Sequence, residues 1–160
     1  MSRSVREEIK QKKPFQSAGQ EAVLALLRTA SLARRRFESL ANDHGITFQQ
    51  FNVLRILRGA GEPLPTMEVA DRMIEPEPGI TRLIERLQRK KLVKRLQDPD
   101  DGRRSLCAIT GKGLEVLAGL DTPVARMDDE VLGALNEGQL KSLIRLLDKA
   151  RSGLHTARHE

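Results

Sequence analysis

The strongest constraint on this chain lies between Thr66 and Ile109, where the apolar period changes from helical to extended. Thr66–Met73 (TMEVADRM) places Met67, Val69, Ala70 and Met73 on one side of a short helix. Pro76 and Pro78, in IEPEPGI, then break it. Ile80, Leu83, Ile84 and Leu87 recur at three- and four-residue steps, which predicts an amphipathic helix running to about Lys91. Pro78 fits its first turn, where the missing N–H has no helical partner. The short extended runs LVKRLQ and SLCAIT flank DPDDGRR, whose turn-forming residues close a hairpin.

The rest of the chain is helical in pattern. Residues 1–14 read as a basic polar arm or short helix. Val23, Leu26, Leu27, Ala30, Phe37, Leu40 and Ala41 mark a long helix from Gln16 to Asn42, stopped by Gly45. Thr47 and Gln50 form a capping-box pair ahead of Phe48, Phe51, Leu54 and Leu57, with Gly59 and Gly61 as the stop and Pro63 and Pro65 stiffening the connection. Thr110 is placed to cap a long helix from Gly111, kinked or interrupted at Thr122–Pro123, and a last helix follows Asn136. With four Phe and no Trp or Tyr, the core must come from aliphatic residues, as packed helices allow. The expected fold is mainly α, a winged helix-turn-helix over 46–110 with a small β-hairpin wing. Residues 15–45 and 111–154 form the remaining helical region, and 155–160 a frayed tail.

Charge is concentrated on that element. Nine basic residues (Arg82, Arg86, Arg89, Lys90, Lys91, Lys94, Arg95, Arg103, Arg104) face four acidic ones between Pro78 and Arg104, almost the whole net charge of +6. The exposed side of the second helix presents Thr81, Arg82, Glu85, Arg86, Gln88 and Arg89, side chains able to bond base edges and phosphates in a major groove. Taken alone, a mixed-charge helix face is usually only a solvated one; the attached basic hairpin favours nucleic acid. In the hairpin loop, Asp101 can orient Arg103 for a minor groove. The bland reading is an ordinary Asp-Gly turn.

These residues resemble the MarR family of bacterial transcriptional regulators. The resemblance is carried by Thr47–Leu54 (TFQQFNVL), Gly79–Leu87 (GITRLIERL), Lys91–Arg95 (KLVKR), Asp98–Arg103 (DPDDGR) and Ile109–Gly113 (ITGKG). It implies a homodimer knitted by the first and last two helices (15–45 and 111–154), binding a pseudo-palindromic operator in double-stranded DNA. It also implies DNA contacts from Thr81, Arg82, Arg86 and Arg103, with Asp101 orienting Arg103; the basic patch itself adds Arg89 and Arg104 as expected DNA contacts. A small, often aromatic, effector would enter a cleft, for which Phe15, Phe37, Phe48, Phe51, Met67 and Met73 are candidate lining residues; such residues are more often core. Two departures stand out. Lys91 occupies the position where the family usually has Gly, and Pro78-Gly79 replace small hydroxyl residues, with Glu77 close enough to repel phosphate.

Other chemistry finds little support. The single cysteine, Cys107, excludes an internal disulfide, which suits a reducing cytoplasm, and its strand position favours a packing role over a redox one. His44 lacks neighbouring ligands for zinc, and His155 and His159 sit in the tail. No Gly-rich phosphate loop, nucleophile elbow or metalloprotease motif occurs, so no catalytic residue, cofactor or metal is expected. No apolar run approaches the ~18 residues of a membrane span. The alternatives are a winged-helix module for protein contact and a regulator without an effector.

Overall fold

The computed structural model describes residues 3–156, with side chains to Leu154. Helix α1 is Val5–Glu8, α2 Ala18–Asp43, α3 Phe48–Ala60, α4 Thr66–Asp71, α5 Ile80–Arg89, α6 Gly111–Leu132 and α7 Glu137–Thr156. Strands β1 (Leu64–Pro65), β2 (Val93–Gln97) and β3 (Ser105–Ile109) form one antiparallel sheet in the order β1-β3-β2. The chain divides into two compact units, one ending at Val124 and one beginning at Ala125.

Polar caps set the helix starts. Ser17 Oγ accepts from Gln20 N at 3.1 Å. Thr47 Oγ1 accepts from Gln50 N at 3.1 Å, and Gln50 Oε1 accepts from Thr47 N at 3.2 Å, the reciprocal box expected from the sequence. Asn136 and Gln139 repeat it ahead of α7. Gly61, at φ 71°, closes α3, while Gly59 lies inside the helix, so one glycine rather than two makes the stop. Of the kink or interruption expected at Thr122–Pro123, the interruption does not occur: helix α6 runs through Pro123.

The core of the first unit gathers around α3, whose Phe48, Phe51, Val53, Leu54, Ile56 and Leu57 are all buried. Val69 of α4, the inner stripe of α5, Leu92, Val93, Cys107, and Leu117 and Leu120 of α6 pack into the same cluster. Strand β1 has no counterpart in the sequence reading. Leu64 pairs with Cys107 and Pro65 with Leu106, and proline is tolerated because this strand is the sheet's edge. Met67 departs from its expected place on the inner face of α4: it is 67% exposed.

Candidate nucleic-acid interface

Helix α5 is amphipathic as its period requires. Ile80, Leu83, Ile84 and Leu87 are buried, each contributing about 1.5–3 kcal/mol of apolar burial. The opposite side exposes Thr81, Arg82, Glu85, Arg86 and Arg89, with Gln88 half-buried. The helix starts at Ile80, so Pro78 lies in the turn ahead of it rather than in its first turn. No side chain caps Gly79 as N-cap residue; instead Glu77 Oε1 accepts Gly79 N–H at 3.1 Å, setting a carboxylate at the positive end of the helix.

The far end of α5 is closer to Arg89 than to Lys91. Lys90 is the C-cap and Lys91 adopts φ 60°, the left-handed region glycine favours. Lys91 N–H donates to Gln88 O at 2.8 Å and Leu92 N–H to Leu87 O at 3.0 Å. Those two bonds are a Schellman closure, so the helix ends as a glycine would end it, with lysine holding the strained position.

Polar ties fix α5 to its surroundings. Lys90 Nζ donates to Gly45 O at 2.7 Å and Gln50 Oε1 at 3.1 Å, joining its C-terminus to the α2–α3 turn. Thr110 Oγ1 donates to Lys91 O at 2.7 Å and accepts from Gly113 N–H at 3.1 Å, confirming it as the cap of α6. At the other end, Arg34 of α2 pairs with Glu75 in the α4–α5 turn and, at 2.9 Å, with Glu38. Hydrogen bonding to Glu38, aided by Glu75, holds the Arg34 guanidinium pKa above its usual value. Sequence reading singled out neither Arg34 nor Glu75, since nothing local links residues so far apart.

The hairpin registers Val93 with Ile109 through to Gln97 with Ser105. Its loop holds itself by two backbone bonds, Asp98 N–H to Arg104 O at 3.0 Å and Arg104 N–H to Asp101 O at 2.8 Å, and by the Gln97 side chain, whose Nε2 donates to Gly102 O at 3.0 Å. Asp101 Oδ1 accepts the backbone N–H of Arg103 at 3.0 Å. Asp101 therefore fixes the main chain at Arg103 rather than gripping its guanidinium. Among the described residues, Arg28, Arg34, Arg58, Arg72 and Arg151 are ion-paired, whereas Arg82, Arg86, Arg89, Arg103 and Arg104 form no ion pair.

The six residues considered for an effector cleft are spread over different environments. Phe37 packs against Phe48 and Phe51 with ring centroids 5.5 and 6.4 Å apart. Phe48, Phe51 and Met73 are buried, Phe15 is half-buried and Met67 is on the surface. A separate cleft of about 430 Å³ lies beside the hairpin, lined by Leu57, Pro63, Lys94, Leu96, Ile109 and Leu114 among others. Cys107 is fully buried, 3.5 Å from Thr66 Oγ1, as a packing cysteine should be. His44 Nδ1 lies 3.0 Å from Leu40 O at the end of α2. Among the described residues no cluster of His, Cys, Asp or Glu is arranged to hold a metal ion, and no helix is long and apolar enough to cross a membrane. The side chains of His155 and His159 lie outside the described residues.

Comparison with known proteins decides the family. The sequence model of the MarR family matches residues 44–104, from the start of the α2–α3 turn to the hairpin loop. A MarR transcription factor from Planctomyces limnophilus is 38% identical, with a TM-score of 0.64 over 84% of this chain and 98% of that one. The chain belongs to the MarR family. This MarR-family protein is also 32% identical to the HTH-type transcriptional repressor NicR of Pseudomonas putida, over 71% of each chain. BpsR of Bordetella bronchiseptica, solved in a study of how 6-hydroxynicotinic acid regulates its DNA binding, is 25% identical with a TM-score of 0.75 over 87% of this chain and 98% of its own. Family and relatives make it a transcriptional regulator with a winged helix-turn-helix, not an enzyme.

Proposed function

We propose that this MarR-family regulator is a homodimeric repressor that reads a pseudo-palindromic operator with α5 and the β2–β3 hairpin, and that a small aromatic effector releases it. The observation that carries the DNA contacts is the clustering of Arg82, Arg86, Arg89, Arg103 and Arg104, all exposed and in no ion pair among the described residues, on the outer side of α5 and in the hairpin loop. Thr81, Arg82 and Arg86 lie on the outer side of α5 and serve as readers; Arg89 and Arg104 serve as phosphate contacts. Arg103 enters a minor groove from a loop whose main chain Asp101 fixes.

Dimerisation is supported by exposed apolar side chains that a lone protomer would leave in water: Val23, Leu26 and Leu27 on α2, and Ile144, Leu146 and Leu154 on α7. Repression and an aromatic effector follow the relatives, a repressor in NicR and a 6-hydroxynicotinic acid response in BpsR. Phe37, Phe48 and Phe51 are the aromatic surface such a ligand would meet on partial opening of the α2–α3 packing.

The test is titration of the protein against its own upstream DNA at several salt concentrations. Expected are a steep loss of affinity with salt and a footprint of two half-sites about 34–36 Å apart. Arg103→Ala should weaken binding roughly tenfold, about 1–3 kcal/mol for one lost groove contact. Binding without sequence preference at any salt, or an unaffected Arg103→Ala, would refute the assignment.

A further inference from the structure

Of the eight residues between α4 and α5, the last six, Ile74–Gly79, set where α5 begins, yet little ties them down. Buried Met73 precedes them and buried Ile80 follows, but Ile74 itself is 64% exposed. Pro76 and Pro78 have no N–H to donate. Among the described residues, the one backbone hydrogen bond from Ile74–Pro78 outside regular structure is local, Glu77 O accepting from Ile80 N–H at 3.1 Å. Glu77's carboxylate is also spent locally, on Gly79 N–H. That leaves Glu75. One of its oxygens takes the Arg34 guanidinium of α2, and the other accepts from Gln49 Nε2 of α3 at 3.5 Å. Arg34 is itself steadied from one turn along α2 by Glu38 at 2.9 Å.

We propose that Arg34 and Glu75 form a brace that positions the turn before α5, and so sets the pose in which α5 meets DNA. The inference rests on the proposed DNA-reading role of α5. Neither residue touches DNA in this account; both act through the segment they hold. The electrostatics give the test a sign. If Glu75 were merely a negative charge beside DNA, removing it would reduce repulsion of phosphate and tighten binding. A brace predicts the reverse.

The experiment compares wild type, Arg34→Met, Glu75→Ala and the double variant of the full chain. Operator affinity is measured across a salt series, and amide hydrogen exchange over residues 74–82 is followed without DNA. All four should keep wild-type helical circular dichroism, since the pair is partly exposed. Each single variant should weaken operator binding about three- to tenfold, a typical range for a well-formed ion pair and its coupling. The double variant should be no weaker than the worse single one. The slope of log Kd against log salt should stay at its wild-type value, and exchange at 74–82 should quicken in all three variants.

Tighter binding by Glu75→Ala, additive losses, or unchanged exchange would each overturn the brace. So would a slope reduced by about one phosphate contact in Arg34→Met, which would make Arg34 a direct DNA contact. Quickened exchange in a protein whose wild type shows no operator preference would overturn the DNA reading beneath it while the tether itself stood.

Discussion

Replacing Lys91 by glycine should make this protein more stable. Lys91 sits at φ 60°, where the lysine Cβ crowds the following carbonyl at a cost of about 1–2 kcal/mol. Glycine removes that strain but gains freedom in the unfolded chain, which offsets about 0.5–1 kcal/mol. The net gain is about 0.5–1 kcal/mol, or a rise in Tm of roughly 1–4 °C for a chain of this size. The two closing hydrogen bonds, Lys91 N–H to Gln88 O and Leu92 N–H to Leu87 O, use only backbone and survive the change. So does the 2.7 Å bond from Thr110 Oγ1 to the carbonyl of residue 91. Thermal melts at matched protein concentration are the assay, because association would make Tm concentration-dependent. Lys91→Ala is the control: it loses the same charge yet keeps a Cβ, and should gain nothing. A destabilised Lys91→Gly, or equal gains in glycine and alanine variants, would refute the strain argument.

Three further outcomes follow from the packing around α5. Gly113→Ala should lose about 1–3 kcal/mol in urea denaturation, because its Cβ would lie 2.4 Å from the Leu92 carbonyl oxygen and 2.8 Å from Ile109 Cγ1. Glu77→Gln should tighten operator binding about two- to fivefold at low salt, and less at high salt, by removing a carboxylate from the head of α5. The same change should cost about 0.3–1 kcal/mol of stability for the lost anion at a helix N-terminus, so affinity and stability move in opposite directions. The Cys107 thiol should resist an aromatic disulfide reagent in the native state and react only on unfolding, as its complete burial requires.

What could be read from the sequence was what local chemistry repeats. The stripe Ile80, Leu83, Ile84 and Leu87, the Thr47–Gln50 box and the turn residues of DPDDGRR each declare themselves within a few positions. Strand β1 did not, because two residues, one of them proline, carry no period, and their pairing with Leu106 and Cys107 exists only once the hairpin is in place. The ends of α5 were misplaced by a residue or two for a similar reason. A left-handed lysine is selected by the Schellman bonds around it, not by its own preference. The Asp101–Arg103 relation was found at the right positions but through the main chain, since a two-residue spacing in a tight loop brings a carboxylate to the backbone N–H more readily than to a long side chain. Arg34 and Glu75, at opposite ends of the helix-turn-helix approach, were invisible without three dimensions.

The base of the hairpin is sewn shut. Thr110 N–H bonds Leu92 O at 3.1 Å, its hydroxyl bonds Lys91 O, and Lys112 Nζ reaches Lys90 O at 3.2 Å. The carbonyls just past α5, at Lys90, Lys91 and Leu92, are thereby satisfied by residues on the far side of the hairpin, and whatever lies between Val93 and Ile109 hangs from a closed ring. Residues added to or taken from the loop at 98–104 should leave α5 undisturbed, so under the proposed DNA reading the reach of the hairpin can vary independently of α5. On that proposal, exchanging the loop between relatives should change the length of the footprint while leaving the preferred half-site sequence unchanged.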